Sequence, residues 1–302
     1  MKYIITGAGG FVGGALCKKL LEEGHEVYAL DVSIELMNKL KDYKNVHLIK
    51  AEFSDYKELD LKTENFDIFY HMAWAGICGP ILKDYRMQSN NIAYACDALM
   101  LAVRHKTRKF ILCGSINELE AQNYIGAINI TPRYTTLYGT SKLAASLMCK
   151  TLAYQNNIEY NEGMNAMLYG ENNASRTIPN IVMKQLLTGV TPKLIDGDNL
   201  YDILYIDDVV DAFIAIGQKG INQKTYYVGN RKIRTIREII ENIRDVINPK
   251  ADLLFGAYPE SNGVDFSKIN TNELFEDTGF EPKVNFNESI KRTVKWVEKL
   301  DL

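Results

Sequence analysis

The chain has 302 residues, 46% of them hydrophobic, and a formal net charge of −3, which predicts a globular protein with no nucleic-acid or anionic-membrane partner. The first predicted strand starts at residue 2 and no apolar run approaches ~20 residues, so we expect a cytoplasmic protein without a targeting peptide or membrane span. The five cysteines form no C-x-x-C pair and the four histidines are scattered, so we expect no metal site.

The N-terminal segment MKYIITGAGGFVGG predicts a dinucleotide-binding turn. A short buried strand at residues 3–5 leads into a glycine-rich turn, and a helix is predicted over 15–23. The order strand, glycine turn, helix places backbone N–H groups and a helix N-terminus where a pyrophosphate can bind. The glycines that define the turn are Gly7, Gly10 and Gly13.

The residue that directly follows the second predicted strand, 26–30, favours NAD over NADP. It is Asp31, and a carboxylate there suits the two hydroxyls of an adenosine ribose. Val32 and Ser33 follow, so no adjacent arginine can receive a 2′-phosphate, and the carboxylate would repel one.

Strands and helices alternate through the first half of the chain. Further strands are predicted at 46–49, 68–72 and 110–112, and helices at 90–105 and 138–155. This alternation predicts an α/β protein with a doubly wound parallel sheet. After about residue 165 the pattern loosens into helices at 178–187, 209–216 and 236–247 and strands at 203–206 and 226–228. We therefore predict a Rossmann-type NAD-binding domain over 1–165, with segments around 203–216 returning to it, and a smaller C-terminal α/β substrate-binding lobe over 166–302.

A tyrosine–lysine pair on a predicted helix indicates the chemistry. Tyr138 and Lys142 lie four residues apart, so both side chains share one helix face. Ser115 follows the predicted strand 110–112, at the edge where the cofactor would bind. A phenol has a pKa of about 10, and we expect the ammonium and the positive nicotinamide of an oxidised cofactor to lower it. Together with the glycine turn, the arrangement favours a catalytic trio over a solvated surface pair.

These motifs together resemble the extended short-chain dehydrogenase/reductase family, often called NAD-dependent epimerase/dehydratases, most of which act on nucleotide sugars. The segments that carry the resemblance are TGAGGFVG, HMAWAG (71–76), DILYIDDVVDA (202–212) and the closing stretch FSKINTNELFEDTGFEPKVNFNESI. The resemblance implies that Ser115 and Tyr138 are the catalytic hydroxyls and that Lys142 holds the nicotinamide ribose. The cofactor-binding residues that it implies are Gly7, Gly10, Phe11, Val12, Gly13, Asp31, Glu52, Phe53, Met72, Ala73, Trp74, Tyr138, Lys142 and Leu168.

The chain departs from the family's dehydratases at the residues after the catalytic hydroxyl. Those enzymes carry an Asp-Glu pair there, whereas Ser115 is followed by Ile116 and Asn117, and Glu118 comes one place late. Dehydration is therefore disfavoured. Trp74 replaces an alanine of the family, and it either packs or shapes the sugar pocket.

Arginines that usually hold the sugar diphosphate are missing. Their positions are occupied by Tyr201, by Met164 and by the loop 258–262, which carries no cation. The basic residues that can stand in are Arg176, Lys184, Arg231 and Arg234, with Arg176 preferred because it lies between the Tyr169–Gly170 turn and the helix 178–187. The candidate substrate-binding residues are Trp74, Asn117, Tyr169, Arg176 and Tyr201.

The sequence thus predicts an NAD-dependent oxidoreductase that acts at a secondary carbinol or ketone, with C4 of a nucleotide-activated hexose as the reacting carbon. Sugar 4-epimerase and 4-keto reductase both fit. Two alternatives stay open: a dehydrogenase of a small unactivated alcohol, and a non-catalytic NAD(H)-sensing protein. We also expect a homodimer, because the helices 90–105 and 138–155 carry apolar or small residues around much of their surface.

Overall fold

The computed structural model describes residues 1–77, 79–125, 132, 135–258 and 264–300, and its central sheet has seven strands, all paired in parallel. In chain order the strands are β1 (Lys2–Thr6), β2 (Glu26–Asp31), β3 (Val46–Lys50), β4 (Ile68–His71), β5 (Lys109–Ser115), β6 (Glu159–Asn165), β7 (Met167–Tyr169), β8 (Leu200–Tyr201), β9 (Ile203–Tyr205), β10 (Thr225–Val228) and β11 (Arg234–Thr235). The central sheet runs in the order β10-β6-β5-β4-β1-β2-β3, and β7–β9 and β8–β11 form two short pairs outside it.

Helices cover both faces of this sheet, and further helices pack against one another outside it. They are α1 (Phe11–Glu22), α2 (Tyr85–Arg104), α3 (Asn117–Tyr124), α4 (Thr136–Gln155), α5 (Ile178–Leu187), α6 (Ile206–Lys219), α7 (Ile236–Ile247), α8 (Glu273–Thr278) and α9 (Phe286–Val297). Polar caps begin several of them: the Asp84 carboxylate accepts the first N–H groups of α2, and Thr235 and Glu238 form a capping box on α7. Within the described residues, no helix combines the length and the apolar character that crossing a membrane requires.

Two hydrophobic layers, one on each face of the sheet, explain why the sequences of the inner strands are continuous apolar runs. Tyr3 and Ile5 of β1 face the layer that α1 and α6 cover, whereas Ile4 between them faces the layer under α2 and α4. Residues on both faces of β1 are therefore buried, as in other sheets with helices on both sides. This confirms the predicted α/β class and the doubly wound, Rossmann-type parallel sheet.

The strand order reverses beside β1. That strand pairs with β2 on one side and β4 on the other, so the chain crosses the sheet between β3 and β4. Ligands of open α/β sheets bind in the crevice at the carboxyl ends of the strands, where the order reverses. The turn after β1 and the segment after β4 meet there.

The second half of the chain contributes to the central sheet as well. Strand β10 pairs with β6 at one edge, and α6 packs against α1. Strand β9, in contrast, pairs with β7 outside the central sheet. Of the segments around 203–216, helix α6 thus covers the central sheet, whereas strand β9 does not join it. Strand β10, at 225–228, does join the central sheet. The division into 1–165 and 166–302 stays a prediction.

Candidate active site

The glycine turn forms a cradle that side chains would fill. Gly7 has φ +68°, and a Cβ there would lie 2.8 Å from the backbone nitrogen of Ala73. A Cβ on Gly13 would collide with the carbonyl oxygen of Gly7. Helix α1 starts at Phe11, four residues before its predicted start, and no side chain caps it at Gly10. Its first N–H groups are therefore open to an anion.

The acidic residue at the end of β2 holds the turn from the other side. Asp31 accepts hydrogen bonds from the backbone N–H groups of Gly9, at 2.9 Å, and Val32, at 2.8 Å. Its carboxylate thus lies beside the cradle, where the sequence places the adenosine ribose. We conclude that Asp31 also fixes the shape of the turn, a contribution that the sequence pattern does not reveal.

Two residues assigned to the cofactor follow β3. Glu52 is exposed and forms a capping box with Asp55 at the start of a 3-10 turn, Phe53–Lys57. Phe53 stacks on Tyr94 of α2, with 4.7 Å between the ring centroids. Because Ala51 donates its N–H to the carbonyl oxygen of Asp31 at 2.8 Å, both residues lie near the Asp31 end of the crevice.

The segment after β4 lines the crevice opposite the cradle. The Ala73 N–H donates to Thr6 Oγ1 at 3.4 Å, and the backbone of Met72 and Ala73 lies against Gly7. Asn91 holds the segment through two bonds to the backbone of Ala75, at 3.0 and 2.9 Å, so this asparagine is structural. Leu168 lies on β7, just beyond the carboxyl end of β6.

The crevice fits a dinucleotide. It combines a cradle that only glycines permit at Gly7 and Gly13, an uncapped helix N-terminus, and a carboxylate at the end of β2. In the part of the chain that the structure describes, no three His, Cys, Asp or Glu side chains are grouped so that they can hold a metal ion.

The two predicted catalytic hydroxyls converge at the carboxyl end of β5. Ser115 is the last residue of β5 and is 8% exposed, and its hydroxyl lies close to the Tyr138 phenol. Tyr138 lies in the first turn of α4 and is partly exposed. The next residue, Gly139, lets α4 come close to the backbone of Asn117, because a Cβ there would collide with the carbonyl oxygen of Asn117. Ser115 Oγ also donates to Asn117 Oδ1 at 3.2 Å.

The third predicted residue, Lys142, is one turn further along α4 and is 3% exposed. Its ammonium donates to the carbonyl oxygen of Cys113 at 2.6 Å and lies 3.8 Å from the ring centroid of Trp74. The Trp74 indole is also edge-on to Tyr138, with 6.1 Å between the ring centroids, and its N–H donates to Gln88 at 3.1 Å. The structure therefore brings Trp74, Tyr138 and Lys142 together, and Trp74 both packs and borders the Tyr138 ring.

The expectation that Lys142 lowers the pKa of Tyr138 is not met in the protein alone. Burial raises the pKa of the Tyr138 phenol above its usual value, and the nearby Ser115 hydroxyl opposes this. The ammonium lies 6.0 Å from the centroid of the Tyr138 ring and is engaged by Cys113. In the protein alone, desolvation thus outweighs the cation.

Glu118, one place late for a dehydratase acid, does not face the crevice. It is 2% exposed, and its Oε1 accepts the backbone N–H of Ser115 at 2.7 Å. Its carboxyl group contacts that of Glu162 on β6. The sequence predicts neither this contact nor the hydrogen bond between Trp74 and Gln88. No sequence signal identifies Glu162, because its strand, EYNEGMN, lacks an apolar run.

The predicted substrate residues are not all brought to one surface. Tyr169 is 2% exposed and its hydroxyl bonds Ser289 at 2.6 Å, so it belongs to the core and cannot contact a ligand. Arg176 is exposed just before α5. Tyr201, on β8, pairs directly with Arg234 on β11. The loop 258–262, where the family resemblance expects an arginine, lies outside the described residues from position 259 onward.

Two of the proposed stand-in cations are engaged elsewhere. Lys184 donates to the carbonyl oxygen of Leu300 at 2.5 Å. Arg231 pairs with Glu281 at 3.0 Å and donates to Asn272 at 2.9 Å. Arg176 and Arg234 therefore remain as the stronger candidates for a phosphate contact.

Known proteins share this architecture. A family model described as "NAD dependent epimerase/dehydratase family" matches residues 3–229. The chain is 22% identical to a UDP-N-acetyl-alpha-D-glucosaminuronate decarboxylase of Bacillus cytotoxicus, over 99% of this chain and 98% of the relative. The fold matches a UDP-glucose 4-epimerase of Thermotoga maritima, solved with UDP-glucose, at a TM-score of 0.79, 21% identity and 99% coverage of both chains. It also matches a UDP-glucuronic acid 4-epimerase of Bacillus cereus, solved with NAD, at a TM-score of 0.78, 19% identity and 99% coverage of both. The chain therefore belongs to the NAD dependent epimerase/dehydratase family, and its cofactor is NAD.

Proposed function

We propose that this chain catalyses NAD-dependent oxidoreduction at a secondary carbinol or ketone, and that the reacting carbon is C4 of a nucleotide-activated hexose. The observation that carries the proposal is the proximity of the Ser115 and Tyr138 hydroxyls, at the carboxyl edge of the sheet beside the dinucleotide cradle. Both sugar 4-epimerase and 4-keto reductase activities are consistent with this arrangement, since each needs proton transfer at one hydroxyl of the sugar.

NAD, when bound, supplies the hydride acceptor or donor and, in its oxidised form, a positive ring. The protein residues do the rest. Tyr138 Oη takes the proton of the reacting hydroxyl or returns it, and Ser115 Oγ holds the reacting oxygen within hydrogen-bonding distance. The ammonium of Lys142 lies 6.0 Å from the centroid of the Tyr138 ring, and by the family resemblance it holds the nicotinamide ribose. The Trp74 ring keeps water away from one side of this ammonium.

Support for a nucleotide-sugar substrate comes from the relatives and from the β8–β11 pair. The structural neighbours named above are UDP-sugar 4-epimerases, one of them solved with its UDP-sugar. Residues directly opposite in an antiparallel pair project from the same face. Arg234 therefore leaves the pair on the face of Tyr201, the position at which the family resemblance expects an arginine. Its guanidinium packs over the Phe286 ring, 4.4 Å from the centroid.

Dehydration is not supported. Ile116 and Asn117 follow Ser115, and Glu118 is bound to the Ser115 backbone rather than turned to the crevice. A dehydrogenase of a small unactivated alcohol is the second candidate, favoured by the tyrosine at position 201 in place of a cation. A non-catalytic NAD(H) sensor is disfavoured by the retained Tyr138 and Lys142.

A homodimer in the cytoplasm is part of the proposal. Helices α2 and α4 pack against each other, and α4 leaves a strip of apolar side chains exposed on its outer side. Leu147 is 58% exposed, Met148 49% and Tyr154 78%. Such a strip on a helix pair is suited to a two-fold interface.

The experiment that tests the proposed function is a binding screen with NAD present. Nucleoside diphosphates and nucleotide sugars are titrated by calorimetry, and turnover of each ligand is followed by product analysis. We expect a nucleotide sugar to bind and to be converted at C4. If no nucleoside diphosphate binds, the nucleotide-sugar reading is wrong and a small unactivated alcohol takes its place.

A further inference from the structure

Two buried carboxyl groups meet beneath the catalytic strand β5. Glu118 is 2% exposed and Glu162 is 1% exposed. A Cβ atom on Gly114 would lie 2.5 Å from Glu162 Oε1 and 2.8 Å from Glu118 Oε1, so both oxygens lie against one backbone carbon. The absence of a side chain at Gly114 thus creates the space in which the two carboxyl groups touch.

Among the described residues, the hydrogen bonds around the pair leave the buried Glu162 Oε1 without a donor. Glu118 Oε1 accepts the Ser115 N–H at 2.7 Å. Glu162 Oε2 accepts the hydroxyls of Ser146 at 2.6 Å and Thr225 at 3.0 Å. Glu162 Oε1, fully buried, has no donor among the described residues except a proton on the Glu118 carboxyl group, which lies within reach. A buried carboxylate oxygen with no donor is costly, and two adjacent carboxylates repel.

The charges around the two carboxyl groups also favour one ionised carboxyl group over two. Lys142 is the cation that both carboxyl groups face. The other groups around Lys142 carry no charge at neutral pH: the Cys113 and Cys149 thiols have raised pKa values, His71 has its pKa lowered to about 3 by burial and by Lys142, and Tyr138 and Trp74 are neutral. One ammonium balances one carboxylate. Two carboxylates would leave an uncompensated buried charge, which proteins avoid.

We propose that Glu118 and Glu162 share a single proton and act as one unit of charge −1, which holds the Ser115 backbone in place and keeps Lys142 as an ammonium. Both are positioning residues, since neither reaches the crevice. Burial raises the pKa of each carboxyl group, and burial lowers the pKa of Lys142 while the two glutamates raise it. The catalytic consequence rests on the proposed function, whereas the shared proton itself does not.

The shared proton is tested without substrate, by urea unfolding of the NAD-free protein across pH. The folded pair binds one proton more than the unfolded chain at pH values above the ordinary range of glutamate, so stability falls as pH rises. Relative to Glu162→Gln, the unfolding equilibrium constant of the wild type should increase about tenfold per pH unit above pH ~5 until the proton is lost. Glu58→Gln, at an exposed glutamate outside the pair, is the control for the loss of one carboxyl group and should track the wild type. A constant difference between wild type and Glu162→Gln across this range would overturn the proposal.

Infrared spectroscopy covers the case in which a variant does not fold. The wild type at pH 7 should show a protonated-carboxyl band, and Glu162→Gln or Glu118→Gln should weaken it. A wild-type spectrum with no such band at pH 7 would overturn the shared proton without any variant.

The effect on Lys142 is read from the pH dependence of turnover. Each single glutamine variant keeps one carboxylate beside Lys142, whereas Glu118→Gln combined with Glu162→Gln removes both. We expect the alkaline limb of the kcat profile to move down by about one pH unit or more in the double variant and to stay in place in each single variant. An equal shift in the single and double variants would contradict the charge unit. A wild type that turns over no nucleotide sugar would remove the proposed function and leave the unfolding and infrared results to decide the shared proton.

Discussion

The ammonium of Lys142 lies against the face of the Trp74 indole, with 3.8 Å between Nζ and the ring centroid. The family resemblance expects a small alanine where Trp74 stands. This chain therefore covers its buried lysine with an aromatic ring on one side and with the Cys113 carbonyl, at 2.6 Å, on another. Because a cation–π contact stabilises the charged amine when water is excluded, we propose that Trp74 belongs to the catalytic environment and not only to the core.

Replacing this ring should affect the chemical step. We expect Trp74→Ala to lower kcat by about 3- to 30-fold, because a desolvated cation–π contact is worth roughly 0.5–2 kcal/mol. Trp74→Phe keeps a ring over Lys142 but loses the N–H that donates to Gln88, so it should retain most activity. Steady-state kinetics distinguish the two, and equal losses in both variants would assign the effect to Gln88 instead.

Cofactor selection should depend on the charge of Asp31. The wild type should bind NAD far better than NADP, and Asp31→Asn should raise the affinity for NADP by about tenfold, since it removes a like charge worth ~1.4 kcal/mol. The amide still offers an oxygen to the Gly9 N–H, so the turn keeps its shape. Asp31→Ala, which loses that oxygen, should narrow the gap between the cofactors and weaken NAD as well. Fluorescence titrations that give equal affinities for both cofactors in the wild type would refute this.

The diphosphate of a nucleotide sugar should be bound by cations close to Tyr201. We predict that Arg234→Ala weakens UDP binding by about tenfold or more, the loss of ~1.5–3 kcal/mol from one charge-assisted hydrogen bond. From the sequence we expect Arg176→Ala to raise the KM for a nucleotide sugar by about tenfold or more. Arg237→Ala is the matched control, because that guanidinium packs over Phe255, 4.0 Å from the ring centroid. Unchanged calorimetric affinities in both Arg176→Ala and Arg234→Ala would exclude these two residues.

The outer side of α4 should hold a second copy of the chain. Light scattering at micromolar concentration should give about twice the monomer mass of 34.3 kDa. Leu147→Glu combined with Met148→Glu should shift the protein to monomer, because two charges would be buried in an apolar interface. Ile221→Glu provides a control at a residue that is 49% exposed elsewhere on the surface. A monomeric wild type would reject the dimer.

The sequence predicts the elements that bury apolar side chains well. The ranges 178–187 and 236–247 match α5 and α7, and the strands of the central sheet are found to within a few residues except for β6. Strand β6 escapes prediction because it is buried yet polar, with Asn161, Glu162 and Asn165 on it. A buried polar strand is stable only when neighbouring segments satisfy its side chains, and no local pattern records those partners.

The candidate site shows the same limit. The glycines, Asp31 and the tyrosine–lysine spacing are local motifs, so the sequence places them together. The engagement of Lys142 by Cys113 and Trp74, and the pairing of Arg234 with Tyr201, depend on how distant strands and helices meet. Local spacing carries no information on such contacts. Tyr169, expected at the substrate from the family resemblance, is buried by the fold.

The most direct test of the proposed chemistry is deuterium transfer from C4 of a nucleotide-activated hexose to NAD, compared between the wild type and Tyr138→Phe. The assay uses C4-deuterated UDP-hexoses and stops the reaction within a single turnover, because an epimerase returns the deuteride to C4, and the recovered cofactor is then analysed by mass spectrometry. We predict label on the cofactor in the wild type, and a rate about 10²–10⁴-fold lower in Tyr138→Phe with nearly unchanged NAD affinity, because only the proton-transferring oxygen is lost. Lack of label in the wild type would contradict reaction at C4, and a normal rate in Tyr138→Phe would contradict the catalytic assignment of Tyr138.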